Sequence, residues 1–135
     1  MPEYMRIQKD YARYRLDKSK EDLEALRLLF SQGSYRIANN RAYYSIFHAL
    51  RAVLVLDNFD SSKHSGVIAE FRRKYIKTGV FPIEMSKMIG SAFTIRNASD
   101  YDDMFIASKD ETAEQIANAE WIYRVIEGYV SSWTD

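Results

Sequence analysis

The stretch from Arg36 to Leu56 constrains this chain more than any other. From Ala42 onward, apolar residues occupy nearly every azimuth of a helix, whereas a helix lying on a protein surface keeps one face polar. Such a segment must be covered on most sides, which makes it the central helix of a helical domain. Its few polar residues are therefore informative: Arg41, Ser45 and His48 stand at i, i+4 and i+7, on one narrow stripe. A covered polar stripe needs partners. Either a neighbouring helix supplies them, or the stripe lines a pocket for a ligand or RNA.

The flanking sequence supplies the other helices. Tyr4, Ile7, Tyr11 and Tyr14 alternate at three-four spacing, an aromatic seam that serves either a dimer surface or ordinary bundle packing. Asp17 to Asp22 is wholly polar, and a second register runs through Leu16, Leu23, Leu26 and Phe30. Either one long helix rotates its buried face here, or Ser19 starts a new one. Gly33 is a fitting stop and Ser34 a cap for the central helix, so the two helices should lie antiparallel across a short turn. After a loop from Asp57 to His64, a third helix is expected from Gly66 to Tyr75, with Val67, Ile68, Phe71 and Tyr75 on its apolar face. Arg72, Arg73, Lys74 and Lys77 crowd its far end, where the helix dipole favours cations; phosphate binding is the alternative.

Thr78-Gly79 ends that helix, and Pro82 suits the first position of a fourth. Its seam of Met85, Met88/Ile89 and Ala92/Phe93 continues to Arg96 and Ser99, aiming a guanidinium at or beside the core. Asp100 follows in the order the dipole disfavours, so the stronger partner of Arg96 is expected across the bundle or across a subunit boundary. Periodicity should break from Asn97 to Ala107. Ser108 to Glu111 reads as a capping box opening a last helix. There Ile116, Ala119, Tyr123, Ile126, Val130 and Trp133 form one stripe and Ile122, Val125 and Tyr129 another, which calls for two neighbours. Nothing alternates like a strand. The reading is an all-α, up-and-down bundle of four to five helices, one domain over residues 1–135.

Composition narrows the chemistry. With no cysteine and two histidines, disulfides and thiolate metal sites are excluded. Asp100, Asp102 and Asp103 lie close together but lack the glycine and distal glutamate of a calcium loop, so neither a metal nor a cofactor is expected. The chain opens without an apolar leader, and its longest apolar run, Ala52 to Leu56, is far short of a membrane span; a soluble, cytoplasmic protein is expected. Formal charge is zero overall, yet residues 1–51 carry +4, residues 52–96 carry +3 and residues 97–135 carry −7. That asymmetry either steers nucleic acid to a basic face or reflects complementarity between packed helices or subunits.

Three ordered motifs carry a resemblance. Tyr43-Tyr44-Ser45-Ile46-Phe47-His48-Ala49 lies on the central helix, Lys63-His64-Ser65-Gly66-Val67 opens the third, and Arg96-Asn97-Ala98-Ser99-Asp100-Tyr101-Asp102 follows the fourth. With these the chain resembles HEPN domains over roughly residues 16–130, and in particular the small stand-alone prokaryotic HEPN proteins encoded beside a minimal nucleotidyltransferase. The resemblance implies a dimerising bundle like the substrate-binding subunit of kanamycin-type nucleotidyltransferases. Many HEPN relatives are metal-independent ribonucleases that join an Arg, a polar residue and a His at a dimer cleft. The first two correspond to Arg96 and Asn97, but Tyr101 occupies the place of the histidine, with Asp100 before it. Cleavage by the 2′-hydroxyl needs a proton acceptor near neutral pH, and a phenol, titrating at about 10, is not one.

Three functions follow as expectations. The first is a HEPN homodimer that partners a minimal nucleotidyltransferase in a toxin-antitoxin-type module. It would hold a nucleotide or RNA phosphate through Arg96, Asn97, Asp100 and His64, with Arg41 and His48 as further ligand contacts. The second is an endoribonuclease toxin in which Arg96, Asn97 and Tyr101 form the catalytic group and His48 or His64 acts as base. The third is a structural interaction module in which Arg41, His48, Arg96 and Tyr101 satisfy one another. His48 reads more readily as a core histidine than as a catalyst, His64 as a ligand contact. The resemblance also offers Tyr101 as a site of covalent modification by the partner enzyme.

Overall fold

The computed structural model describes residues 1–133, and among these there are five α-helices and no strand. They are α1 (Glu3–Ser31), α2 (Tyr35–Val55), α3 (His64–Phe71), α4 (Ile83–Tyr101) and α5 (Lys109–Ser132). The all-α bundle read from the periodicity is the fold observed. Among the described residues, no helix is long and apolar enough to cross a membrane.

Helix α2 is the central one, packed against all four others. Ala42, Tyr43, Ile46, Phe47, Ala49, Leu50, Val53 and Leu54 are all buried, as a helix apolar on every side must be. Antiparallel order shows in the side-chain pairs. Gln8 of α1 reaches the Leu56 carbonyl, Ser19 meets Ser45, and Asp22 meets Arg41. On the α5 side, Arg13 pairs with Glu127 and Arg27 with Glu120.

One continuous α1 spans the polar stretch at which the sequence allows a split. Its buried stripe is Met5, Gln8, Ala12, Leu16, Ser19, Asp22, Leu23 and Leu26, an unbroken three-four series in which the polar members have partners on or just beyond α2. Ser19 therefore caps nothing. It is fully buried and donates to the Ser45 carbonyl at 2.7 Å, while Ser45 Oγ donates to the Ser19 carbonyl at 3.0 Å. Two small hydroxyl residues let the backbones of α1 and α2 approach closely. Ser45→Val adds methyl volume there and removes one of these bonds, so urea denaturation should show about 1–2 kcal/mol less stability. An unchanged midpoint would place the closest approach elsewhere.

The same stripe turns Tyr4, Ile7, Tyr11 and Tyr14 outward, and all four are exposed, which removes ordinary packing within the bundle as their explanation. Gly33 and Gly79 adopt positive φ of 76° and 81°, as residues that stop helices in the left-handed region do. Ser34 precedes α2 without a side-chain cap bond, and Pro82 stands just before the first residue of α4.

The third helix departs from its expected span. It begins at His64, ends at Phe71 and passes into a π-helical turn, Arg72–Ile76, in which Lys77 N–H bonds the Arg72 carbonyl at 2.8 Å. The wider turn lets Phe71, Tyr75 and Phe81 form one aromatic group, with Tyr129 of α5 edge-on to it. The cations there have specific partners rather than the dipole alone. Arg72 donates to both oxygens of Ser86, Arg73 pairs with Glu70, and Lys74 lies 3.5 Å from Asp57. Gly90 makes room for this clamp, because a Cβ there would come within 3.2 Å of the Arg72 guanidinium.

Helix α4 also runs further than its periodicity indicated, through Asn97 to Tyr101. Arg36 at the start of α2 explains this. Its guanidinium donates to the carbonyls of Ser99, Asp102 and Phe105, tying down the last turn of α4 and the segment beyond it. Half of the capping box forms: Ser108 Oγ accepts from Glu111 N–H at 3.1 Å and opens α5. Ile116, Ala119, Ile122, Ile126 and Val130 are buried, and α5 finds its neighbours in α1, α2 and α4.

Candidate functional site

Where α2, α4 and the start of α3 meet, the structure gathers most of the residues that the motifs single out. Arg96, whose side chain is 13% exposed, does turn inward at the end of the α4 seam. Its Nη2 donates to the Tyr44 hydroxyl at 3.1 Å and its Nη1 to Asn97 Oδ1 at 3.2 Å. The guanidinium also lies 5.4–5.5 Å from the ring centres of Tyr43, Tyr44 and Tyr101, within cation-π range.

Tyr44 is a partner across the bundle, while the charge partner of Arg96 is local. Asp100 Oδ2 is 2.9 Å from Arg96 Nε, on the same helix, as an ion pair rather than a directed hydrogen bond. Asn40 of α2 holds that carboxylate in place by donating to the same oxygen at 2.8 Å. An Arg-to-Asp order disfavoured on an isolated helix is thus set by the neighbouring helix. Asn40 in turn accepts from Arg41 Nε and Nη2 at 3.0 and 2.6 Å, and Arg41 Nη1 donates to Asp22 at 3.0 Å. One polar chain runs from α1 through α2 to α4.

His64, the first residue of α3, closes the group. Its Nδ1 lies 2.9 Å from the Tyr43 hydroxyl, and its ring packs 4.3 Å from the centre of Phe47 and 5.6 Å from that of Tyr44. Burial, and then the charges of Arg96 and Arg51, hold its imidazole below the usual histidine range, so at neutral pH it is uncharged and able to accept a proton. His48 lies deeper, on the α1 side. Burial and the fields of Arg51, Lys18, Arg15 and Arg41 bring it down to about 4. Its Nε2 is 3.7 Å from Asp22, beyond hydrogen-bond reach, and its buried Nδ1 has no protein partner. Burial raises the carboxyl of Asp22 against the opposing effect of Arg41.

The polar stripe of α2 therefore divides. Ser45 is satisfied by α1, Arg41 is shared between Asp22 of α1 and Asn40 of its own helix, and His48 belongs to that buried side. Arg96, Asn97, Asp100, Tyr101 and His64 lie together on the open side, with Tyr44 between the two groups. Tyr101 is 73% exposed and reaches the group only through its ring over Arg96. Asp102 caps the N–H of Met104 and takes no part in a shared site with Asp100. Motif and periodicity miss Asn40, Asp22, Tyr43 and Tyr44 as members of the site. The run Asn39-Asn40-Arg41 at the head of an otherwise apolar helix is the signal that points to the first of these.

Chemically the open side sets a largely buried guanidinium, paired with Asp100, beside an amide, a phenol and an imidazole, groups of the kind that can hold an anion. It forms a rim rather than a cavity. A surface groove of about 600 Å³ lies along α4 by Arg72, Ser86 and Lys87 and shares no residue with it.

Comparison with known proteins gives the class of this helical bundle its name. The chain belongs to the HEPN domain family, whose model it matches over residues 12–129. It is 33% identical over 108 residues to a Methanocaldococcus jannaschii protein named "putative toxin", covering 80% of this chain and 73% of that one. It is 32% identical over 110 residues to a UPF0332 protein of Thermotoga maritima, covering 82% and 83%. Its fold is that of TT1696 from Thermus thermophilus, with a TM-score of 0.73 over 87% of this chain and 96% of the other at 18% identity.

Proposed function

We propose that this protein is a HEPN-type binding protein, a homodimer that partners a minimal nucleotidyltransferase in a toxin-antitoxin-type module and grips an RNA or nucleotide phosphate at Arg96. The observation that carries the reading is the state of Arg96: inward, oriented by Asp100 and Tyr44, with Asn97 beside it and a tyrosine where a catalytic histidine would stand. A guanidinium so fixed loses little freedom when a phosphate binds. Support for a protein partner comes from the exposed apolar side chains next to the seat. Tyr101, Met104 and Ile106 are 73%, 87% and 86% exposed on the segment that Arg36 tethers. The toxin names of relatives fit a module of this kind. Mixed with a minimal nucleotidyltransferase from a neighbouring gene, the protein should co-elute as one complex in size-exclusion chromatography. Two separate peaks would contradict the partnership.

A second reading, an endoribonuclease toxin, is favoured by one observation. His64 is a neutral imidazole whose ring packs on Tyr44, the same tyrosine that Arg96 binds, so a base and a phosphate-holding cation share one rim. Incubation with RNA in EDTA separates the two readings. Cleavage lost in both His64→Ala and Arg96→Ala supports the enzyme, and no cleavage by the parent protein supports the binding role.

A further inference from the structure

A second pair of arginines converges next to this seat and is already occupied. Arg15 of α1 and Arg51 of α2, side chains only 13% and 17% exposed, both donate to the carboxylate of Asp60. Arg15 Nη2 reaches its two oxygens at 2.9 and 3.1 Å, and Arg51 Nη2 reaches one at 2.8 Å. Asp60 itself is half exposed and belongs to the connection between α2 and α3, which leaves α2 through Asn58 at a positive φ of 62°. Two guanidiniums fixed on rigid helices and closed over one oxyanion supplied by a loop have the geometry of a phosphate site holding a carboxylate.

This pair is continuous with the first seat. Arg51 lies over the Phe47 ring at 5.8 Å, His64 packs on Phe47 and Tyr44, and Arg96 lies over Tyr44. The buried Phe47 ring, with His64 and Tyr44 above it, thus joins the two groups of cations as one packed unit. Lys18 and Arg41 add their charge beside Arg15 and Arg51, since all four act on His48. Asp22 and Asp60 are the acids that oppose them there, so removing Asp60 leaves a clear positive excess.

We propose that the Arg15–Arg51 pair is a second phosphate seat for an RNA strand continuing past Arg96, and that Asp60 fills it in the free protein as an internal stand-in for phosphate. The proposal rests on the phosphate reading of Arg96 and extends it, selecting a polynucleotide over a mononucleotide. Asp60 then sets a threshold: a strand must displace it, and its displacement loosens the connection that leads to His64.

Fluorescence anisotropy with a non-cleavable 2′-O-methyl oligonucleotide of about ten residues tests this, with a nucleoside 5′-monophosphate as the short probe. Asp60→Asn should tighten oligonucleotide binding about tenfold and steepen the log–log salt dependence by about 0.7, the value for one further single-strand phosphate contact. The monophosphate, with one phosphate to place and nothing to bridge the two seats, should gain much less than the oligonucleotide. Glu114→Gln, which removes one negative charge from α5, should produce neither effect, and Arg51→Gln added to Asp60→Asn should abolish the gain. Asp60→Ser gives the same readout where asparagine still engages the arginines, and thermal melting confirms that each variant is folded. An equal gain in Glu114→Gln, or a gain that survives loss of Arg51, overturns the proposal. Arg96→Ala separates it from the reading beneath it: no effect there alongside a gain in Asp60→Asn overturns the Arg96 seat and leaves this one, the reverse result overturns this one alone, and no binding by any variant overturns both.

Discussion

Arg96→Ala is expected to weaken binding of a single-stranded oligoribonucleotide by about a hundredfold while the protein remains folded. The size follows from what the guanidinium supplies to a phosphate: charged hydrogen bonds worth about 1.5–3 kcal/mol each, made by a group that Asp100, Tyr44 and Asn97 already hold in position. Stability should fall by only about 1–2 kcal/mol. Breaking a deeply buried ion pair costs more, but Asp100 keeps the Asn40 amide and its side chain is 23% exposed, so the orphaned carboxylate remains solvated. Anisotropy and urea denaturation on the same samples check both numbers. A loss of several kcal/mol with oligonucleotide affinity unchanged would make Arg96 a structural strut, its role in a purely structural interaction module.

The second large effect concerns acid stability. His48 is held neutral at about 4 by burial first and by four surrounding cations, whereas an imidazole in the unfolded chain titrates near 6.5. The unfolded state therefore binds a proton that the folded state refuses. Stability from this group is complete above about pH 6.5 and is lost as pH falls toward 4, amounting to about 2–3 kcal/mol. His64, lowered by burial and then by Arg96 and Arg51, acts in the same direction as pH falls below about 6.5. Asp22, raised by burial, works in the opposite direction at the acid end, since its neutral form suits the folded state. Urea denaturation at pH 7 and pH 4.5 should show His48→Gln losing roughly 2 kcal/mol of the parent protein's acid sensitivity. Parallel stability curves for the two proteins would mean that His48 is not desolvated as the structure has it.

How far the sequence discloses the fold depends on the period of each element. Helices α2 and α5 are legible because their apolar residues repeat without interruption, and Arg96 is legible because it falls on the same seam as Met85, Ile89 and Ala92. Helix α1 is less so. Ser19 and Asp22 fall in a wholly polar stretch that allows either a rotated face or a new helix until Ser45 and Arg41 are known to lie opposite them, and the buried stripe then shifts away from the tyrosines. The final turn of α4 and the bond between Arg96 and Asp100 depend on Arg36 and Asn40, more than fifty residues earlier, which no local pattern discloses. The clamp of Arg15 and Arg51 on Asp60 joins three segments and carries no motif at all. Local periodicity gives the helices and points at one arginine; the partners that make it a site are tertiary.

The most direct measurement is the ¹⁵N NMR spectrum of the arginine side chains during titration with a 5′-phosphorylated dinucleotide. The Nε–H signal of Arg96 should shift and saturate with the ligand, ahead of that of Arg27, which pairs with Glu120 of α5. Saturating binding that leaves the Arg96 signal where it began would show that the phosphate is held elsewhere.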